Sequence, residues 1–407
     1  VVDGDRHGIP AGADAAAAGE PAHRADGILD AADAAGGVTL MAGKGTVLLC
    51  AGGTGGHLFP AQALAQELAS RGYDIHLATD GRAEKFATGF PATIHVVASA
   101  TFASRNPLAM ARAALKLVAG YRQSRALIGT LRPKAAVGFG GYPTLPPMLA
   151  AAHMRVPTLI HDANAVMGRA NRWLAPRMRQ VAMGFAGADA PKGAIVTGNP
   201  VRAAVLAAAD APYPARNGDE PLHLLVFGGS QGAQFFAAIV PQAAGLLDAR
   251  RRELLRVTHQ ARAEDVAAAG EAWRNLGVEA RVAPFFDDMA MLLARAHFVI
   301  CRAGASSVSE LAVVGRPSLL VPYPHALDHD QALNAAALAA NGGAEVTAQA
   351  DLTPERLAQI LKRAIDEPQG LALAAKKAKE SGRPDATARL ADCVMRLGGD
   401  ETSESRS

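Results

Sequence analysis

The stretch TVLLCAGGTGGHLFPAQALAQELASRG (Thr46–Gly72) decides the fold. TVLLCA (Thr46–Ala51) is a short apolar run of the kind a fully buried strand uses, and GGTGGH (Gly52–His57) is a glycine turn. The following PAQALAQELASRG carries its apolar residues at helical spacing and stops at Gly72. Strand, glycine turn and helix together open a Rossmann-like sheet.

Outward from this unit, the spacing predicts strands at Asp74–Thr79, Thr93–Val97, Ala135–Gly138, Thr158–His161, Gln180–Met183 and Ala194–Thr197. The pattern restarts at Leu222–Phe227, followed by GGSQGAQ (Gly228–Gln234) and another helix. Strands are then predicted at Leu254–His259, Ala280–Pro284, His297–Cys301 and Ser318–Val321. Strands alternating with helices indicate parallel sheets. The expected class is α/β, with two Rossmann-like doubly wound domains facing across a cleft. Their expected extents are 44–202 and 203–384, joined near GNPVRAAV (Gly198–Val205). A last helix, 385–398, follows the breaker SGRPD and is able to pack on either half. Residues 1–43 are rich in Ala, Gly and Asp with few large apolar side chains, and read as a disordered extension.

The 407 residues carry 41 Lys and Arg against 38 Asp and Glu, a formal net charge of +3. A generic nucleic-acid binder has a strong basic excess, so no nucleic acid is expected as partner. The charge is unevenly spread: −5 over 1–43, +12 over 44–202 and −4 over 203–407. From Lys85 to His161 there are nine Lys or Arg and no Asp or Glu. Within that stretch, SRNPLAMARAALKLVAGYRQSRALI mixes Arg105, Arg112, Lys116, Arg122 and Arg125 with Leu108, Leu115, Leu117 and Val118. A helix both basic and apolar suits an anionic membrane surface. The competing reading is a buried helix with a solvated basic edge.

Cys50, Cys301 and Cys393 are far apart and odd in number, which argues against a zinc site or disulfide framework and for a reducing compartment. No apolar run reaches the roughly 18–20 residues a membrane span needs. The acidic start lacks the features of a signal peptide. Any work on a membrane is therefore expected from its surface.

Glycines at a helix start let a ligand approach exposed amides, which favour an anion and usually phosphate. GGTGGH is not a Walker A loop, because no Gly-Lys-Ser/Thr follows. Leu58 also breaks GxGxxG. The alternative is a plain strand-to-helix turn. His57 falls in the first turn of the helix, where imidazolium is disfavoured and a neutral ring is able to act as a general base. Its bland alternative is a residue packing on the loop. GGSQGAQ repeats the arrangement with Ser230 and Gln231, and two such loops suit two diphosphate-bearing substrates. In CRAGASSVSELAVVGRP (Cys301–Pro317) a helix is predicted from about Ser306, with Glu310 one turn in and placed to accept from ribose hydroxyls. Asp330, Gln331 and Asn334 are candidates for sugar hydroxyls, and as isolated residues they equally suit caps. FFDDM has adjacent acids pointing in different directions rather than a DxD pair, so neither a catalytic metal nor another cofactor is expected.

GGTGGHLFPAQALA, GFGGYPTLPP, HDANAVMGRANRWLA, GNPVR, VFGGSQGAQ, FFDDMAMLL and CRAGASSVSELAVVGRP occur in one order over residues 46–334. This ordered set resembles the MurG family, the bacterial UDP-N-acetylglucosamine transferases of peptidoglycan synthesis, across everything outside the extension. The resemblance implies the GT-B fold, with the acceptor in the first half and the donor in the second. It implies transfer of N-acetylglucosamine from UDP to the 4-hydroxyl of undecaprenyl-diphospho-N-acetylmuramoyl-pentapeptide (lipid I), giving lipid II with inversion. By the same resemblance, Thr54, Gly55 and Gly56 lie beside the donor sugar and His57 is the base. Asn164 and Gln331 match sugar contacts, Arg202 and Ser230 diphosphate-side contacts, and Phe286 the residue whose backbone reads uracil. Ala305, Ser306, Ser307, Val308, Ser309 and Glu310 match the nucleotide-binding helix, with Glu310 on the ribose.

The family also implies a peripheral place on the cytoplasmic face of the inner membrane, with cell-wall synthesis proteins as partners. The chain departs from the family with HDAN for HEQN, Ser306-Ser307 for Leu-Thr, and Asp330 for the first of a glutamine pair. Asp330 is therefore not assigned to the site. The rival readings are another GT-B glycolipid glycosyltransferase, a UDP-sugar epimerase, and a non-catalytic nucleotide-sugar binder.

Overall fold

A computed structural model describes residues 43–53, 55–81, 90–100, 106–187, 190–228, 233–326 and 330–400. Of the expected extension only Gly43 is among them, and Thr54, Arg105 and Ser230 lie outside the described residues.

Among the described residues the first sheet has seven parallel strands: β1 Thr46–Cys50, β2 Asp74–Thr79, β3 Thr93–Val96, β4 Ala135–Gly138, β5 Thr158–Asp162, β6 Gln180–Met183 and β7 Ile195–Val196. Their order is β3-β2-β1-β4-β5-β6-β7. The second has six, β8 Leu222–Phe227, β9 Leu255–Gln260, β10 Glu279–Ala283, β11 Phe298–Cys301, β12 Ser318–Leu320 and β13 Ala344–Val346, ordered β10-β9-β8-β11-β12-β13. Val47, Leu48, Leu49 and Cys50 are all buried, because helices cover both faces of the sheet. That is why β1 reads as an unbroken apolar run rather than an alternating one. The strand predicted at Ala194–Thr197 shrinks to two residues, those at β9 and β10 are offset by one, and β13 went unread because three residues carry no period. In both sheets the order reverses beside the first strand of the half, between β1 and β4 and between β8 and β11. Loops leaving the carboxyl ends of strands at such a switch point open a crevice for ligands.

The last helix, Ala386–Leu397, returns to the first sheet. Its Leu390, Ala391 and Val394 are buried in one cluster with Val47 and Leu49 of β1 and with Leu64 and Leu68 of α1 (Gly55–Ser70). Arg71 pairs with Asp392, and Asp400 takes Lys134 Nζ at 2.7 Å and the Tyr73 hydroxyl at 2.7 Å. The two segments that cross between the sheets run side by side. Gly198, at φ 85°, has space for no side chain: a Cβ there would stand 2.9 Å from Arg383 Cδ and 3.0 Å from Ala386 Cβ.

α2 (Pro107–Leu131) starts at Asn106, whose side-chain oxygen accepts from Leu108 N at 2.9 Å. It buries small residues, Ala113, Gly120 and Ser124, and packs on the helix Leu145–His153, while Ile128 joins the cluster of Leu48, Cys50 and Ala136. The reading of a buried helix with only a basic edge does not hold. Leu108 is 72% and Leu115 69% exposed, and Arg112, Lys116, Arg122 and Arg125 share the uncovered surface with them. Among the described residues no helix is long and apolar enough to cross a membrane.

Two core histidines make the fold acid-sensitive. His161 in β5 and His259 in β9 are fully buried, and burial pushes both down to about 4. His161 Nε2 donates to Gly198 O at 3.1 Å, and His259 Nδ1 accepts from Trp273 Nε1 at 3.2 Å. Unfolding restores their ordinary value near 6.5, so below that pH the unfolded chain binds more protons. Their contribution is complete above pH 6.5 and is lost as pH falls toward 4, about 2 kcal/mol per histidine by pH 5. Denaturant titrations should show this loss between pH 7 and 5, and His259→Gln should reduce it. An identical pH slope in parent and variant would remove His259 as a source.

Candidate functional site

β1 ends at Cys50 and α1 begins at Gly55, so Gly55 and Gly56 form the first turn with His57 next. The His57 ring lies against backbone: a Cβ on Gly52, Gly140 or Gly141 would stand 3.2, 3.4 or 3.3 Å from its atoms. Gly140 and Gly141 follow β4 across the switch point and sit at φ 89° and 79°, left-handed conformations that favour glycine. GFGGYP thus supplies the seat for His57. The sequence alone gives GFGGYP no role of its own; the signal for it is a glycine pair after the strand beside β1.

β5 runs one residue further than predicted, through Asp162. The buried Asp162 carboxylate accepts from Asn164 N at 3.1 Å, Gly168 N at 2.9 Å and Asn171 Nδ2 at 3.0 Å. These bonds fold HDANAVMG into the loop that presents Asn164. Burial pushes the Asp162 carboxyl up, and the three donors act against that.

GNPVR ties this loop to the second half. Asn199 Nδ2 donates to Ala163 O at 2.8 Å and to Ser309 Oγ at 2.9 Å. Arg202 Nε and Nη2 donate to Glu310 Oε1 and Oε2 at 2.9 and 3.1 Å, and its guanidinium lies 5.0 Å from the Phe59 ring centre. Glu310 is buried in the helix Ala305–Val314, where desolvation pushes its carboxyl up and Arg202 opposes the shift. Arg202 and Glu310 were expected at the diphosphate and the ribose. The structure joins them as a bidentate pair, so a ligand reaching both must share or exchange that pair.

The helix Ala305–Val314 starts after Gly304 with no side-chain cap, which leaves the first-turn amides around Ala305, Ser306 and Ser307 uncapped by any side chain. Val308 is buried and Ser309 takes the Asn199 bond. Gln331 Oε1 accepts from Tyr323 N at 2.9 Å, which leaves its Nε2 amide for other contacts. The Phe286 side chain is core, 3% exposed beneath the Arg281 guanidinium, so only its main chain remains for a ligand. Asp288 takes Arg281 Nη1 at 3.1 Å.

One expectation is corrected. Asn334 is fully buried and its amide is consumed by protein partners, Ala165 N, Asn164 Oδ1 and Ala303 O, so it does not meet a sugar hydroxyl. Among the described residues no group of three or more His, Cys, Asp or Glu is arranged to hold a metal. The three thiols are all buried.

The crevice thus sets an imidazole on a glycine seat in the first half against a helix start and an arginine–carboxylate pair. Comparison with known proteins places this arrangement. The Glycosyltransferase family 28 N-terminal domain matches residues 47–183, and the Glycosyltransferase family 28 C-terminal domain matches 223–390. The chain is 56% identical over 367 residues to a protein of Brucella abortus (strain S19), covering 89% of this chain and 97% of that protein. It is 57% identical over 364 residues to one of Rhizobium meliloti (strain 1021), covering 88% and 97%. Both relatives are named UDP-N-acetylglucosamine--N-acetylmuramyl-(pentapeptide) pyrophosphoryl-undecaprenol N-acetylglucosamine transferase. The crystal structure of Acinetobacter baumannii MurG superposes with a TM-score of 0.71 at 29% identity, covering 86% of this chain and 99% of that one. The chain belongs to glycosyltransferase family 28, with the MurG-type N-acetylglucosamine transferases.

Proposed function

We propose that this chain transfers N-acetylglucosamine from UDP-N-acetylglucosamine to the 4-hydroxyl of lipid I, forming lipid II with inversion at the anomeric carbon. The observation that carries this reading is 56% identity across 97% of a relative whose name gives N-acetylglucosamine transfer between these two substrates. The acceptor oxygen attacks C1 of the donor sugar, the bond from C1 to the UDP oxygen breaks, and the hydroxyl proton passes to the His57 imidazole. Packing of that ring against three glycines supports the role, because it fixes the ring's plane.

Negative charge grows on the departing diphosphate. The amides of Gly55, Gly56 and Ala305–Ser307, together with Arg202, are the groups that stabilise it, and no cofactor is required. In this reading Thr54 serves the donor sugar and Ser230 the diphosphate, Glu310 holds the ribose, Phe286 meets the uracil through its main chain, and Asn164 and Gln331 hold the sugar. The test is UDP release and disaccharide formation from UDP-N-acetylglucosamine and a lipid I analogue. UDP release that continues unchanged without the acceptor would overturn the reading.

We further propose that α2 seats the enzyme on the anionic cytoplasmic face of the inner membrane, where the undecaprenyl tail is anchored. Its exposed Leu108 and Leu115 beside Arg112, Lys116 and Arg122 support this, with Arg105 just before the helix. Each cation near such a surface contributes about 1 kcal/mol. Charge reversal at Arg112 and Lys116 should therefore weaken binding to anionic vesicles at least about tenfold, and raised salt should weaken it as well. Binding indifferent to both would refute the surface.

A further inference from the structure

We propose that Asn334 is a positioning residue that sets the hydrogen-bonding sense of Asn164, so that Asn164 offers the donor sugar its Nδ2 donors. The proposal rests on the reading of Asn164 as a sugar contact and goes beyond it to say which end of that amide does the recognising.

The argument starts from two main-chain groups whose roles cannot be exchanged. Ala165 N–H, in the loop after β5, only donates, and it points at Asn334 Oδ1 at 2.8 Å. Ala303 C=O, in the loop after β11, only accepts, and it lies 3.3 Å from Asn334 Nδ2. Together they fix which end of the Asn334 amide is oxygen and which is nitrogen; a flipped amide would set donor against donor and acceptor against acceptor. The side chain is fully buried, so water offers no substitute.

With that end fixed, the second N–H of Asn334 reaches Asn164 at 3.0 Å and needs an acceptor there. Asn164 must turn its Oδ1 toward Asn334, which commits the oxygen. Its Nδ2 then projects from the other side of the planar amide, and no described residue accepts from it. A group fixed in this way recognises an acceptor oxygen on the ligand, such as a sugar hydroxyl lone pair or the carbonyl of an acetamido group. Asn199 braces the same loop independently, through Ala163 O and Ser309 Oγ. Loss of the Asn334 bond therefore frees the amide without releasing the loop.

The experiment compares the affinities for UDP-N-acetylglucosamine and for UDP by calorimetry. The ratio of the two isolates the sugar contribution and confirms that each variant still folds a nucleotide site. Asn164→Asp keeps an acceptor for Asn334 and removes the outward donors, so it should lower the ratio roughly 3- to 10-fold, as Asn164→Ala does. Asn334→Asp presents acceptors to Asn164 and Ala303 and so turns the Asn164 amide over; it should lower the ratio by a similar factor while UDP affinity holds.

In an Asn164→Ala background, Asn334→Asp should lower the ratio no further. A ratio preserved in Asn164→Asp but lost in Asn164→Ala would show that the oxygen does the work, and would overturn the proposal. So would a further loss from Asn334→Asp when Asn164 is already alanine. Asn164→Ala with the parent's ratio would remove the underlying sugar contact, and the proposal with it.

Discussion

Replacing His57 with alanine should lower kcat for glycosyl transfer by about 10²–10⁴-fold, the usual worth of a positioned general base, and should leave UDP affinity unchanged. The ring stands close to the backbone of Gly52, Gly140 and Gly141, away from the helix start at Ala305 that is proposed to hold the diphosphate. Steady-state kinetics with a lipid I analogue and calorimetry with UDP give the two readouts. His57→Gln, which keeps a polar side chain on the glycine seat but has no basic nitrogen, should lose as much turnover as alanine. Turnover equal to the parent's in either variant would remove His57 from the chemistry. Loss of UDP affinity in step with turnover would make it a structural residue. A non-catalytic nucleotide-sugar binder would be indifferent to both changes.

Glu310→Gln should act on the other quantity. The carboxylate accepts two bonds from Arg202 and is buried, so its loss removes a charged partner for the ribose and leaves the guanidinium half-satisfied. Hydrogen bonds to charged groups are worth about 1.5–3 kcal/mol, which corresponds to a rise of roughly 10- to 100-fold in the Kd for UDP. Turnover at saturating donor should fall far less, because Glu310 is read as a ribose contact and not as a group on the reacting bond. Glu310→Ala adds a cavity and should lower the melting temperature too, so glutamine is the cleaner variant. UDP binding at parental strength in Glu310→Gln would exclude the ribose contact.

The parts of this molecule that are legible in its sequence are those where one local requirement dominates. β1 over Val47–Cys50 and β8 over Leu224–Phe227 are buried on both faces and continuously apolar there, so their runs and the glycine turns after them give away both halves. His57 closes the first of those turns and Glu310 falls one turn into the helix predicted after Cys301, which made them visible as candidates. What could not be read is what depends on a partner distant in the chain. Arg202 and Glu310 are 108 residues apart and Asn164 and Asn334 are 170 apart, and no periodicity announces that they touch. Asn334 is the plainest case: beside Gln331 on the same helix it resembled a sugar ligand, yet burial turns it inward. The surface on α2 was one of two readings the sequence left open, since leucines at helical spacing look alike whether they meet a core or a membrane, and their exposure favours the surface.

The return of the helix Ala386–Leu397 to the first sheet also bears on how the chain acquires its structure. Leu390, Ala391 and Val394 belong to the core built on β1, although more than three hundred residues separate them from it. During synthesis β1 and α1 emerge more than three hundred residues before this helix, and the apolar surface they share with it stays open until it follows. The first half is begun earliest and finished last, and its completion waits on the second.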